Sequence, residues 1–186
     1  MRSAFEQVPW VRSAQVRREY PRTLRVQLQE HRAVAHWGPE SGSSMVNSEG
    51  EVFESNGVDA ELDDLPRLMG PVGTSEQVWA MEQALLPVFD PLGLELSGLE
   101  LSARGGWRAS FDGDAAIELG SGTPPEVVQR TRNFAETLTR VAAQFGRRAD
   151  ALESADLRHT GGYALRLRGV STVAAQGTPR AARTHN

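Results

Sequence analysis

Apolar and polar residues alternate cleanly over "TLRVQLQEH", residues 23–31: Leu24, Val26 and Leu28 fall on one side and Arg25, Gln27 and Gln29 on the other. That period of two predicts a half-buried strand. "AQVRREYP" upstream reads as a second short strand that ends at Tyr20-Pro21, and "AVAHWG" starts a third. In "MVNSEGEVFES" strand residues flank Asn47-Ser48-Glu49-Gly50, the pattern of a hairpin. Val78, Met81, Leu85 and Phe89 then recur at helical spacing after Thr74, which opens a capping box, while Pro87 should kink or end the helix. "GLELSGLELSARGGWRASFDGDAAIELGSG" is strand and turn throughout, with Asp112-Gly113 as a hairpin signal.

The clearest helix is "TPPEVVQRTRNFAETLTRVAAQFG". Thr123 caps it, Pro124 sits in the first turn, Glu126 closes a capping box and Gly146 ends it. Val127, Phe134, Leu138, Val141 and Phe145 form its expected buried stripe. A last strand pair occupies "ADLRHTGGYALRLRGV", residues 155–170, and from Val173 on the chain reads as disordered. Strands, helix, strands, helix, strands: the hairpins favour an α+β fold, an antiparallel sheet with two main helices on one face. A final strand with nothing after it lies at a sheet edge, where unpaired backbone groups invite a partner.

Composition narrows the function. The net charge of −4 supplies no global basic field for nucleic acid, and the few aromatics are not interleaved with basic clusters. Every one of the 20 cations is arginine, so any ion pair here is an arginine pair. Without cysteine there is no disulfide frame and no thiolate metal site. His31 and His36, five apart in a strand-like stretch, face opposite sides and make no metal site. Asp63-Asp64 reads as a solvated loop pair and "GSGTPP" as a turn and cap lacking the Lys-Ser/Thr ending of a phosphate loop. Trp10, Trp37, Trp79 and Trp107 read as core anchors. No nucleophile–base set can be named, so no catalytic, cofactor or metal residue is expected. No apolar run approaches the ~20 residues of a membrane helix. The start, "MRSAFEQVPW", looks like the end of a helix and suggests a trimmed chain.

Several blocks, in order, carry a resemblance: "VPWVRSAQVRREYPRTLRVQLQEHRAVAHWG", "MVNSEGEVF", "LPRLMGP" and "DLRHTGGYALRL". They resemble the FtsQ/DivIB family of bacterial cell-division proteins, from the end of the POTRA domain through the β domain. Asn47 stands where the family usually has Asp. The resemblance implies a C-terminal part of POTRA at residues 1–32, a β domain at 33–170 and a polar, disordered tail at 171–186. It implies a non-enzymatic divisome scaffold in the inner membrane, single-pass through a segment absent from this chain. This portion would lie in the periplasm at the division septum.

Its partners would be FtsB and FtsL, with FtsB binding by strand addition at the last strand. Carried over by position, the partner-binding residues are Arg104, Arg158, His159, Gly161, Gly162, Tyr163, Ala164, Leu165, Arg166 and Leu167. The two arginines would meet a partner carboxylate, and His159 stands where an aromatic residue is usual. An upstream recruitment surface would fall at Ser13, Val16 and Arg18. The competing reading is a POTRA-type module of an outer-membrane assembly or secretion protein.

Overall fold

A computed structural model describes residues 7–55, 62–159 and 161–170. The expected disorder after Val173 and the helix end suggested at residues 1–6 lie outside the described residues. Among the described residues there are two sheets, one of two strands and one of nine. The small sheet is an antiparallel hairpin of β1 (Val11–Glu19) and β2 (Thr23–Glu30). The large sheet contains β3 (Ala33–Trp37), β4 (Ser44–Asn47), β5 (Val52–Glu54), β6 (Arg67–Met69), β7 (Leu96–Leu101), β8 (Gly106–Phe111), β9 (Ala116–Ser121), β10 (Leu152–Asp156) and β11 (Ala164–Leu167). Its spatial order is β11-β10-β9-β8-β7-β6-β3-β4-β5. Helix α1 (Ser75–Phe89) joins β6 to β7, and α2 (Pro124–Gln144) joins β9 to β10.

The α+β layering with both helices on one face follows from these two connections. β6–α1–β7 and β9–α2–β10 each link neighbouring parallel strands. β7, β8 and β9 alternate in direction, so β6 and β9 run the same way. Both crossovers step the same way along the sheet, and their common right-handedness puts both helices on the same face. The large sheet is mostly antiparallel, as expected, with three parallel pairs among its strands: β3–β6, β6–β7 and β9–β10.

Leu99, Leu101, Trp107, Ala109, Phe111, Ile117, Leu119 and Leu152 pack beneath the helices with Val78, Leu85, Phe89, Phe134 and Leu138. Phe89 meets Phe111 edge to face at 4.8 Å. Alternate residues of the same strands, such as Arg108, Ser110, Glu118 and Arg166, face the uncovered side.

Other sequence expectations need correction. The α2 stripe is buried at Val127, Phe134 and Leu138, but Val141 is only half-buried and Phe145 is 51% exposed. Phe145 is the C-cap residue, just past the last helical turn. Thr74 forms no side-chain cap; its hydroxyl turns back and donates to the Pro71 carbonyl at 2.7 Å. Of the tryptophans only Trp107 is fully buried, Trp37 and Trp79 are half-buried, and Trp10 is 40% exposed beside the hairpin. β2 is exposed at every residue, because no helix among the described residues covers the hairpin. Pro87, expected to kink or end the helix, lies inside α1, which runs two residues further to Phe89 before the chain turns through a short 3-10 segment, Asp90–Leu92.

The hairpin is tied to the large sheet by polar contacts. Arg12 reaches Glu51 at 2.9 Å and Glu49 at 3.3 Å. Asn47, fully buried, donates to Glu51 at 2.6 Å and lies 2.9 Å from His31 Nδ1. His31 lies just past β2 and stacks on Phe53 at 4.5 Å, whereas His36 sits within β3, its Nε2 2.8 Å from the Leu62 carbonyl oxygen. The two histidines make separate structural contacts, and no group among the described residues could hold a metal ion.

Two outcomes test this packing. Amide exchange in β1 and β2 should be faster than in β7–β9, because few apolar contacts protect the hairpin; equal protection would contradict it. Glu82 is buried in α1, and burial raises its carboxyl pKa above the usual range. An acid with a raised folded pKa destabilises the fold increasingly as pH rises. Glu82→Gln should therefore stabilise the protein at neutral pH by about 1 kcal/mol. The gain should vanish in acid, and a Gln variant that melts lower at pH 7 would contradict this.

Candidate partner-binding edge

β11 closes one end of the large sheet and pairs only with β10, in the register Leu152↔Leu167, Ser154↔Arg166, Ala155↔Leu165 and Asp156↔Ala164. Its outer side has no strand neighbour among the described residues. Side chains alternate along it. Leu165 and Leu167 turn toward the helices, while Ala164 and Arg166 are exposed. Tyr163 precedes the strand, half-buried, with its ring edge to face on Phe134 of α2 at 5.5 Å. Gly161 and Gly162 are exposed, and Gly162 has a φ of 156°, which favours glycine. His159 is exposed at the turn before them.

Arg158 stands two residues past the end of β10. Its Nε and Nη2 fork onto the Asp156 carboxylate at 2.9 and 2.6 Å, and its own backbone N–H donates to Asp156 Oδ1 at 3.0 Å. These bonds favour the ionised carboxylate and hold the Asp156 pKa down at about 2. Arg104 sits across the sheet in the β7–β8 turn, where Ser102 Oγ accepts the Gly106 N–H at 2.9 Å. Arg104 is exposed and makes no hydrogen bond or ion pair among the described residues.

The two arginines nevertheless share one cleft of about 650 Å³, lined also by Arg108, Arg130, Glu100 and Glu118. Arg108 pairs with Glu118 at 2.9 Å, and Arg130 donates to the Leu119 and Ser121 carbonyls. Gly120 makes this crowding possible: a Cβ there would lie 2.8 Å from Arg130 Nη1 and 3.5 Å from Arg158 Cα. The cleft therefore presents one unengaged guanidinium, Arg104, beside another that already holds a carboxylate.

This arrangement coincides with a family match. Residues 35–158 match the family described as cell division protein FtsQ/DivIB, C-terminal. The chain belongs to the FtsQ/DivIB family. Residues 1–31 also match the FtsQ-type POTRA domain. The chain is 36% identical over 168 residues to cell division protein FtsQ of Thiomonas arsenitoxydans, covering 89% of this chain and 61% of that protein. For the FtsQ of Burkholderia pseudomallei the identity is 34% over 174 residues, 91% of this chain and 65% of the relative. For that of Xanthomonas campestris it is 32% over 165 residues, 89% and 55%. The chain thus spans 55–65% of the length of these relatives.

The FtsQ/DivIB-derived positions are only partly brought together. Arg104 and Arg158 share the cleft, and residues 161–167 line the adjoining edge. Ser13, Val16 and Arg18 all lie on β1, but Val16 pairs with Val26 and Arg18 with Leu24 on the apolar side of the hairpin. Ser13 faces the other side and donates to Gln29 at 3.2 Å. Sequence reasoning missed Asp156, Arg130 and Arg108. The spacing of two in Asp156-Leu157-Arg158, at a strand end, was a usable signal for the first. Arg130 carried none, because the bend at Gly120 that brings it close depends on pairing between β8 and β9.

The Asp156–Arg158 fork is directly testable. By NMR titration, Asp156 should protonate near pH 2 and return toward the ordinary 3.8 in Arg158→Gln. A depressed folded pKa contributes stability that is present above the unfolded value and lost as pH falls through the folded one. The wild-type advantage over Arg158→Gln should thus fade between about pH 4 and pH 2. An unchanged Asp156 midpoint in the variant would contradict the fork.

Proposed function

We propose that this chain is part of a non-enzymatic divisome scaffold that binds FtsB, together with FtsL, by strand addition along β11. The observation that carries the reading is the pairing of β11 on one side only, beside a cleft that holds Arg104 and Arg158. An added strand would gain main-chain hydrogen bonds from β11. Alternate side chains would read Tyr163 and Leu165 on the helix side and Ala164 and Arg166 on the other. A partner carboxylate would reach Arg104 first, because Arg158 is already forked onto Asp156, and would then share the outer face of Arg158. His159 adds an exposed imidazole ring just before the edge. In the whole protein a membrane segment outside this chain would anchor the scaffold in the inner membrane, with this portion in the periplasm at the septum. Among the described residues no helix is long and apolar enough to cross a membrane.

A charge pair closed off from water at an interface loses ~2–5 kcal/mol when one member is removed, whereas a rim charge loses little. Arg158→Glu should therefore weaken binding of a labelled FtsB peptide by at least about tenfold, ~1.4 kcal/mol. Arg104→Ala should weaken it comparably. Ala164→Pro should impair binding by removing a ladder donor or straining the edge. Circular dichroism checks folding of each variant. Wild-type affinity in Arg158→Glu would refute the clamp. A folded Ala164→Pro that binds normally would refute strand addition at this edge.

A further inference from the structure

The tip of the β1–β2 hairpin carries a charge arrangement that the fold does not explain. Arg17, Arg18, Arg22 and Arg25 cluster there against a single carboxylate, Glu19, in a chain whose net charge is −4. Glu19 holds Arg25 at 2.9 Å. Arg17, Arg18 and Arg22 make no hydrogen bond or ion pair among the described residues, and all are exposed. The register sets Arg17 directly opposite Arg25. Like charges opposite each other destabilise a hairpin, so this pair works against folding rather than for it. The pair also faces away from the Val16, Val26 and Leu28 stripe, so it stays outside whatever covers that stripe. At the turn itself Tyr20 is 97% exposed, a large amphipathic ring with no packing partner.

We propose that this tip docks on an anionic lipid surface, with Arg17, Arg22 and Arg25 on headgroup phosphates and Tyr20 at the headgroup level. Charge complementarity selects an anion, and forked guanidinium groups suit phosphate. Residues 17–30 are all exposed and line no sizeable cleft among the described residues that would seat a folded peptide, whereas a fluid headgroup layer needs none. A single aromatic ring is not the row of stacking platforms that a nucleic acid strand uses. Tyrosine, apolar in body and polar at its tip, suits the membrane interface. β1 is nine residues long and Arg12 ties its start to the large sheet. The tip therefore stands roughly 25 Å from that tie, and lipid contact there is independent of any partner at β11.

The test is vesicle flotation of the whole chain with phosphatidylcholine vesicles, with and without phosphatidylglycerol. Binding should need phosphatidylglycerol and weaken as salt rises. Arg17→Glu and Arg22→Glu should each weaken it by about fivefold or more, the factor expected per surface cation. Arg22 lies in the turn, so its variants leave the strands intact, and Arg22→Lys should retain binding. Tyr20→Ser should weaken binding in the same vesicles, while Arg104→Glu, at the other arginine cluster, should leave it unchanged. Equal binding to both vesicle types, or wild-type binding by the folded Arg22→Glu variant, would overturn the proposal. So would full displacement by inorganic phosphate at the concentration of the lipid phosphate. Binding to polyglutamate or to a DNA oligonucleotide as strong as to the anionic vesicles would overturn the lipid assignment.

Discussion

A backbone N–H or C=O group must find a partner or stay in water, and in the large sheet that demand is left open at β11. The inner side of β11 supplies β10 with its second neighbour. The outer side has no strand neighbour among the described residues. The other edge, β5, is three residues long, and Glu54 there accepts hydrogen bonds from Ser43 and Ser44. A short strand with a charged, engaged side chain is the usual protection against unwanted pairing. β11 has a different surround: two glycines lead into it, Tyr163 packs on α2 at its start, and the arginine cleft adjoins it. Arg166 of β11 likewise pairs with Glu153 at 3.5 Å, so what sets this edge apart is the cleft beside it that holds Arg104 and Arg158.

The rest of the fold serves to hold that edge in place. α2 begins in a capping box in which Glu126 accepts the Thr123 N–H at 2.7 Å. From that end α2 sends Arg130 to the carbonyls of β9, and from its next turn Phe134 to Tyr163. The crossover from β9 to β10 forces those strands parallel and leaves β11 as the return strand. Asp156 then pins Arg158 where β10 ends.

Much of this was legible in the sequence, for reasons that differ between elements. α2 declared itself through a cap, a proline in the first turn and a terminal glycine, all local chemistry. The Asp112-Gly113 turn did the same: Gly113 and Asp114 both adopt positive φ, as a tight hairpin requires. Parallel pairing was not legible, since alternation of apolar residues reports which face is buried and not which way a neighbour runs. The exposure of β2 was not legible either. Its alternation correctly names an apolar side, yet burial of that side depends on a neighbouring layer, and none among the described residues covers it. In the cleft, Arg104 and Arg158 came from the family resemblance. Their proximity across β8 and β9 is a tertiary fact, and Arg130 and Asp156 emerged only with it. The family match over residues 35–158 also removes the ground for an outer-membrane assembly module.

The central claim is that the outer side of β11 receives a strand. Residue-resolved amide exchange, with and without a soluble FtsB–FtsL ectodomain, tests it most directly. The account predicts that solvent-facing amides within residues 163–167 gain protection on complex formation, with those of β5 unchanged. Complex formation that protects β5 or another surface, and leaves residues 163–167 exchanging as in the free chain, would contradict it.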